Sequence, residues 1–123
     1  MASIFSKIIA GEIPCHKIYE DENHLAFLDV MPLVRGHVLV VPKKEIDYIF
    51  DLSEDELASM WKFALPVAKA IKKVVPCKRI GTSVIGLEVP HAHIHLVPID
   101  TANDLNFTRE KLKISHDELA QIA

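Results

Sequence analysis

Cysteine and a basic surplus are the two scarce commodities in these 123 residues. Cys15 and Cys77 are the only thiols, far apart and without a Cys-x-x-Cys pair. That excludes a disulfide framework and a cysteine-rich zinc knuckle, and it suits two free thiols in a reducing compartment. Fourteen Lys and Arg against seventeen Asp and Glu leave a formal charge of −3. A general grip on nucleic-acid backbone needs a basic face, so no nucleic-acid partner is expected, although a local site can still hold a single nucleotide. No apolar run approaches the roughly 20 residues that cross a bilayer. The opening segment also lacks the basic-then-apolar order of a secretory signal. A cytoplasmic protein with no membrane partner is the expectation. Repeats, low-complexity tracts and linkers are absent as well, which leaves one domain spanning residues 1–123.

What is present is patterned. Ile4 to Ile9 reads as one or two helical turns closed by Gly11 and Pro14. Lys17–Glu20 and His24–Leu28 read as short strands around the polar turn Asp21-Glu22-Asn23. Pro32 and Gly36 bracket a further turn before the β-branched run His37–Val41, a strand stopped by Pro42. Ser53-Glu54-Asp55-Glu56 fits a capping box. Behind it Leu57, Met60, Trp61, Ala64, Ala68, Ile71 and Val75 recur at helical spacing. Acids at the start and Lys69, Lys72 and Lys73 at the end match the helix dipole, Pro66 should kink the helix, and Pro76 marks its stop. Arg79–Ile85 and His93–Val97 are the last strands, and a second box at Ser115–Glu118 opens a short terminal helix. Strands in runs with one main helix indicate an α+β domain on an antiparallel sheet.

The densest chemistry is His91-Ala92-His93-Ile94-His95. Alternate side chains of a strand share a face, so the three imidazoles project together while Ala92, Ile94 and Leu96 enter the core. Imidazole is neutral near pH 7, acts as nucleophile or base, and is oriented through its second nitrogen. A row of them on phosphorus supplies nucleophile, leaving-group acid and oxyanion donor, and phosphoryl transfer asks for little beyond positioning and charge stabilisation. His-x-His pairs on strands also ligate zinc, with His37 as one further candidate ligand. A purely structural row is the third alternative, and the residues alone leave all three open.

The motif His91 to Pro98 resembles that of the histidine triad family. The resemblance extends to Ile4–Pro14, Ala26–Pro32 and Gly36–Lys44, and so to most of the chain. It implies a five-stranded antiparallel sheet with one long helix and short terminal helices, doubled into a homodimer. Residues 1–98 would be the core and 99–123 a C-terminal extension. It implies hydrolysis or transfer at the α-phosphate of a purine nucleotide or nucleotide conjugate, with no cofactor. His93 would attack phosphorus and carry the nucleotidyl group, His95 would contact the phosphate and scissile bond, His91 would orient the row, and His37 would support it. Asp29 matches the family's ribose-binding acid, with a turn-opening aspartate as the competing reading. Ile4, Phe5, Ile8, Phe27, Val30 and Leu39 correspond to apolar walls around the base. His95, where a transferase branch has Gln, favours hydrolysis.

The departures from the family pattern are local. Some relatives bind a structural zinc through a Cys-x-x-Cys near the start and a histidine after Pro-Lys-Lys. Here those positions hold Ser3, Ser6 and Glu45, so no metal is expected. Ahead of the triad, Gly86 is kept, but Leu87-Glu88-Val89 stands where relatives offer polar phosphate donors. Backbone amides of Gly86 to Val89 can still cradle a phosphate, while Glu88 would repel it unless it turns away or grips a cation or an amine leaving group, with a solvent-facing loop acid as the competing reading. A nucleoside 5′-phosphoramidate hydrolase is the leading expectation. A dinucleoside polyphosphate hydrolase and a nucleotide-binding module with little turnover are the alternatives.

Overall fold

The structure is a computed structural model and describes residues 3–108 and 110–123. In chain order the elements are α1 (Ile4–Ile9), β1 (Lys17–Glu20), β2 (His24–Leu28), β3 (Val38–Pro42), α2 (Glu54–Val74), β4 (Arg79–Ser83), β5 (Ile94–Ile99) and α3 (His116–Ile122). Single 3₁₀ turns at Ile49–Asp51 and Ala102–Leu105 complete the set. The strands form one five-stranded sheet in the order β1-β2-β3-β5-β4. Every pairing is antiparallel.

Strand alternation gives the sheet two apolar faces, and a different layer covers each. Ala26, Leu28, Val38, Val40, Ile94 and Leu96 pack against Met60, Phe63, Ala64, Val67 and Ile71 of α2. On the other face Leu25, Phe27, Leu39 and Val41 pack against Phe5 of α1, with Ile8, Ile9, Cys15 and Val89 at the margin. Because both faces are covered, β2 and β3 are buried along their whole lengths. The thiols of Cys15 and Cys77 are both free.

Helix α2 opens as its sequence dictates. Ser53 Oγ accepts from the Glu56 N–H at 3.1 Å, and the Ser53 N–H donates to Glu56 Oε1 at 2.9 Å. The helix then runs continuously through Pro66, which lies on its exposed side, where water can satisfy the carbonyl that proline leaves without a partner. Its buried stripe is centred on Met60, Ala64, Val67 and Ile71. Trp61, placed on the stripe by periodicity, is 40% exposed, and Phe63 fills the core position instead. The second capping box is one-sided. Ser115 Oγ accepts from the Glu118 N–H at 3.2 Å, while the Glu118 carboxylate takes Arg35 Nη1 at 2.7 Å and ties α3 to the loop before β3.

The strand boundaries shift from the sequence expectation at the points that matter for the histidines. β3 begins at Val38 and not at His37, and it includes Pro42 opposite His24. β5 begins at Ile94 and continues to Ile99, so His91 and His93 precede it. Two bonds account for this. The Ala92 N–H donates to the Ile46 carbonyl at 2.6 Å, and the Pro42 carbonyl receives a side chain, His91 Nε2, at 2.8 Å. The β3–β5 ladder therefore stops at Val40 opposite Ile94. β4 likewise ends at Ser83, opposite His95, and not at Ile85. Gly36, just before β3, is required in its place. Its φ is +84°, and a Cβ there would lie 2.8 Å from Val75 Cγ2.

Candidate active site

β5 and the extended segment before it present the histidines as their alternation requires. Ala92, Ile94 and Leu96 enter the core beneath α2, while His91, His93 and His95 are buried on the opposite side. His95 sits opposite Leu39 in the ladder. The His93 and His95 ring centroids are 4.8 Å apart. Phe5 approaches edge-on, 4.9 Å from His93 and 5.8 Å from His91.

Hydrogen bonds to backbone groups assign the ring protons, since a carbonyl can only accept and an amide N–H can only donate. His93 Nδ1 lies 2.7 Å from the His91 carbonyl oxygen, so Nδ1 carries the proton and Nε2 keeps its lone pair. The Leu33 N–H donates to His37 Nδ1 at 3.0 Å, which puts the His37 proton on Nε2. That proton faces His95 Nδ1 at 2.9 Å, so the His95 proton in turn lies on Nε2. Two adjacent imidazoles thus present opposite functions, a bare nitrogen on His93 and an N–H on His95. Burial keeps them neutral. It lowers His37 to about 4 and, with His37 beside it, lowers His95 to about 3. His93 is lowered by burial too, partly offset by its bond to the His91 carbonyl.

Asp29 opens a turn and also approaches the histidines. Its Oδ1 accepts from the Met31 N–H at 2.9 Å, which is a turn. Its Oδ2 lies 3.7 Å from His37 Nε2, and burial raises its pKa. Asp29, His37 and His95 bring donor atoms within 4.8 Å of one another, a grouping of the kind that holds metals. However, the facing nitrogens of His37 and His95 share a proton, and the other nitrogen of His37 is taken by Leu33. The donor set suits a proton-ordered pair better than a cation.

Ser3, Ser6 and Glu45 gather beside His91. Glu45 Oε1 accepts from the Ser3 N–H and from Ser6 Oγ, and Ser3 Oγ lies 2.8 Å from His91 Nδ1. Two hydroxyls and one carboxylate, already bonded among themselves, do not fit a cation that prefers thiolate and imidazole.

Of the proposed apolar walls, Phe5, Phe27 and Leu39 are buried in one cluster and Ile8 flanks it, as does Val89 of the loop before the triad. Ile4 and Val30 are about half exposed and lie outside the packed clusters. Gly86 adopts a φ of +73° in the loop before the triad. Glu88 is exposed, yet its charge acts on both His93 and Asp29. The sequence reading missed Phe107 and Lys111. The Phe107 ring is 4.6 Å from that of His95 and 6.1 Å from that of His37. Lys111 Nζ donates to the Phe107 carbonyl at 2.7 Å, and its charge bears on His37, His95 and Asp29. The Leu112 N–H, bonded to the Pro32 carbonyl at 2.8 Å, anchors this segment to the loop that carries Asp29. A lone aromatic among polar residues was the available clue.

These shifts carry a pH dependence. An unfolded imidazole titrates near 6.5, whereas folded His37 and His95 do so near 4 and near 3. Between those limits the unfolded chain binds more protons. Their contribution to stability is therefore complete above 6.5 and is lost as pH falls toward 4 and below. Urea midpoints should be level from pH 8 to 6.5 and decline below, with both imidazoles titrating under pH 5 by NMR. Phe107→Ala should raise the His95 midpoint by admitting water. Midpoints near 6.5 in the unaltered protein would contradict this electrostatic account.

Comparison with known proteins gives a consistent result. A family model described as the HIT domain matches residues 10–102. "Protein hit" of Bacillus subtilis is 42% identical over 103 residues, covering 77% of this chain and 69% of its own. An adenosine 5′-monophosphoramidase of Schizosaccharomyces pombe is 34% identical over 103 residues, covering 80% and 74% respectively. Among solved structures, a HIT-like protein from Bartonella henselae superposes with a TM-score of 0.83 at 30% identity, covering 98% of this chain and 90% of its own. A zinc-bound histidine triad family protein from Mycobacterium smegmatis gives 0.82 at 27% identity, covering 99% and 93%. With its His-x-His-x-His motif, its antiparallel sheet and these matches, the chain belongs to the histidine triad (HIT) domain family.

Proposed function

We propose that the protein is a nucleotide hydrolase acting at the α-phosphate through a nucleotidyl-His93 intermediate, with a nucleoside 5′-phosphoramidate as substrate. The observation that carries this reading is the 2.7 Å bond from His93 Nδ1–H to the His91 carbonyl, which leaves the other ring nitrogen with its lone pair. That nitrogen attacks phosphorus and forms an N–P bond. The bond from phosphorus to the substrate's amine breaks, and the departing nitrogen takes a proton from water. The hydroxyl left from that water then displaces His93, releasing a nucleoside monophosphate. His95 Nε2–H donates to a phosphoryl oxygen where charge gathers. His91 orients the row, and His37 fixes the tautomer of His95. Membership of a family that includes an adenosine monophosphoramidase supports the substrate class.

In this reading Asp29 takes the ribose hydroxyls. Phe5, Ile8, Phe27 and Leu39 wall the base, with the exposed Ile4 and Val30 at its rim. Gly86, Glu88 and Val89 border the phosphate, and Glu88 faces the leaving amine. Lys111 favours a second reading, because a cation beside His95 suits an anionic leaving group such as the second half of a dinucleoside polyphosphate. The extension of residues 99–123 belongs with the 1–98 core as one HIT-like domain. A homodimer is proposed as well, since among the described residues β4 has a neighbour on one side only and Val84 and Ile85 lie partly exposed beyond it.

Steady-state rates on an adenosine phosphoramidate and a diadenosine polyphosphate, measured side by side, test the assignment. The phosphoramidate should be cleaved with the higher kcat/KM, and His93→Ala should lower kcat by at least about 10³-fold while nucleotide still binds. A faster polyphosphate reaction would favour the second reading. Turnover of neither would leave a binding module. Light scattering at micromolar concentration should give twice the chain mass, and a monomer would refute the dimer.

A further inference from the structure

We infer that Ser3, Ser6 and Glu45 form a positioning clamp for the nucleophile, acting through His91; the inference rests on the reading of His93 as the attacking residue. The bonds run in one direction. Glu45 Oε1 accepts from the Ser3 N–H and, at 2.9 Å, from the Ser6 hydroxyl. With its own proton given to Glu45, Ser6 still donates its backbone N–H to Ser3 Oγ at 3.0 Å. Ser3 Oγ stands 2.8 Å from His91 Nδ1, and Ser6 Oγ stands 3.4 Å from the same nitrogen. On the far side of the ring, Nε2 faces the Pro42 carbonyl at 2.8 Å. A carbonyl cannot donate, so His91 Nε2 carries a proton. In a neutral ring Nδ1 must then accept, and the Ser3 hydroxyl is its donor, since it lies nearer to Nδ1 than to its other acceptor, Ser6 Oγ at 3.3 Å.

The consequence falls on His93. His91 is held by its ring at two points, and its own N–H donates to the Val89 carbonyl at 2.8 Å. The carbonyl of the residue so fixed is the one that receives His93 Nδ1–H. The clamp therefore sets where the acceptor sits, and the acceptor sets which nitrogen of His93 is bare and where it points. Orientation within a fraction of an ångström is what makes a bound nucleophile effective. Ser3 is well placed for this work, being buried and already fixed as the N-cap of α1.

Two measurements on the full-length protein test the clamp. In ¹⁵N-histidine-labelled wild type at pH 8, where imidazole is neutral, long-range ¹H–¹⁵N spectra should show His91 protonated at Nε2 and His93 at Nδ1. This readout needs no substrate, so it stands whether or not phosphoramidates prove to be the substrate class. Kinetics then use Ser3→Gly, which removes the hydroxyl while leaving the helix cap nearly intact. It should lower kcat about 10-fold, with KM changed by no more than about twofold, and it should shift the His93 ring resonances. Ser3→Thr, which keeps hydroxyl and cap, should retain the wild-type kcat and spectrum. Glu45→Ala, which keeps the Ser3 cap on the Ser6 N–H, should lower kcat in the same sense. The clamp is overturned by His91 protonated at Nδ1 in the wild type, or by Ser3→Gly and Glu45→Ala enzymes with unaltered kcat and His93 spectrum. A Ser3→Thr enzyme as slow as Ser3→Gly would overturn it too.

Discussion

A neutral imidazole has two nitrogens and one proton, and the site depends on backbone groups deciding where that proton rests. The His91 carbonyl claims the Nδ1 proton of His93, while the Leu33 N–H denies Nδ1 protonation to His37 and so passes the decision on to His95. Backbone groups are well suited to this task because their sense cannot be reversed by titration. Burial reinforces it, since taking a charge out of water costs more than these bonds could return and the rings stay neutral well below their ordinary pKa. The proton order is therefore a property of the fold and precedes any substrate.

Such an order requires a rigid support, and the sheet supplies it through its two unlike faces. One face is sealed by α2 around Met60, Ala64 and Ile94. The other carries the apolar cluster of Phe5, Phe27 and Leu39, with His93 and His95 at its edge. The release of His91 and His93 from the ladder is part of the same design. Were β5 to keep pairing with β3, the Pro42 carbonyl would belong to the ladder and His91 would lose the partner that fixes its ring. Of the three histidines only His95 thus lies on the strand, and the two before it are held by a different set of bonds.

Much of this was legible in the residues. The boundaries of β1 and β2, the cap at Ser53 and the inward set Ala92, Ile94 and Leu96 follow from turn chemistry, capping and alternation, which are local rules. The errors arise where a tertiary bond overrides a local one. Pro42 looked like a strand stop, but its missing N–H costs nothing where the ladder is already ending. Trp61 met the helical period, but a stripe defined by period alone can be centred one residue off, and only the shape of the sheet chose Phe63. Phe107 and Lys111 reach the histidines across a segment with no periodic pattern, so no rule of spacing could place them. The bonds from Ser3 to Glu45 and from Ser3 to His91 likewise join positions more than 40 residues apart, and alone these residues read as a helix cap and a surface acid.

The central claim is that His93 Nε2 forms a bond to phosphorus during turnover. Its most direct test is a rapid alkaline quench of the wild-type protein with an adenosine phosphoramidate, followed by proteolysis and mass spectrometry without exposure to acid, because a phosphorus–nitrogen bond is acid-labile. The account predicts a mass increase of one nucleotide on the peptide containing His93, present during turnover and gone once substrate is spent. Turnover at an undiminished rate with no adduct at any quench time, or an adduct on a peptide lacking His93, would contradict it.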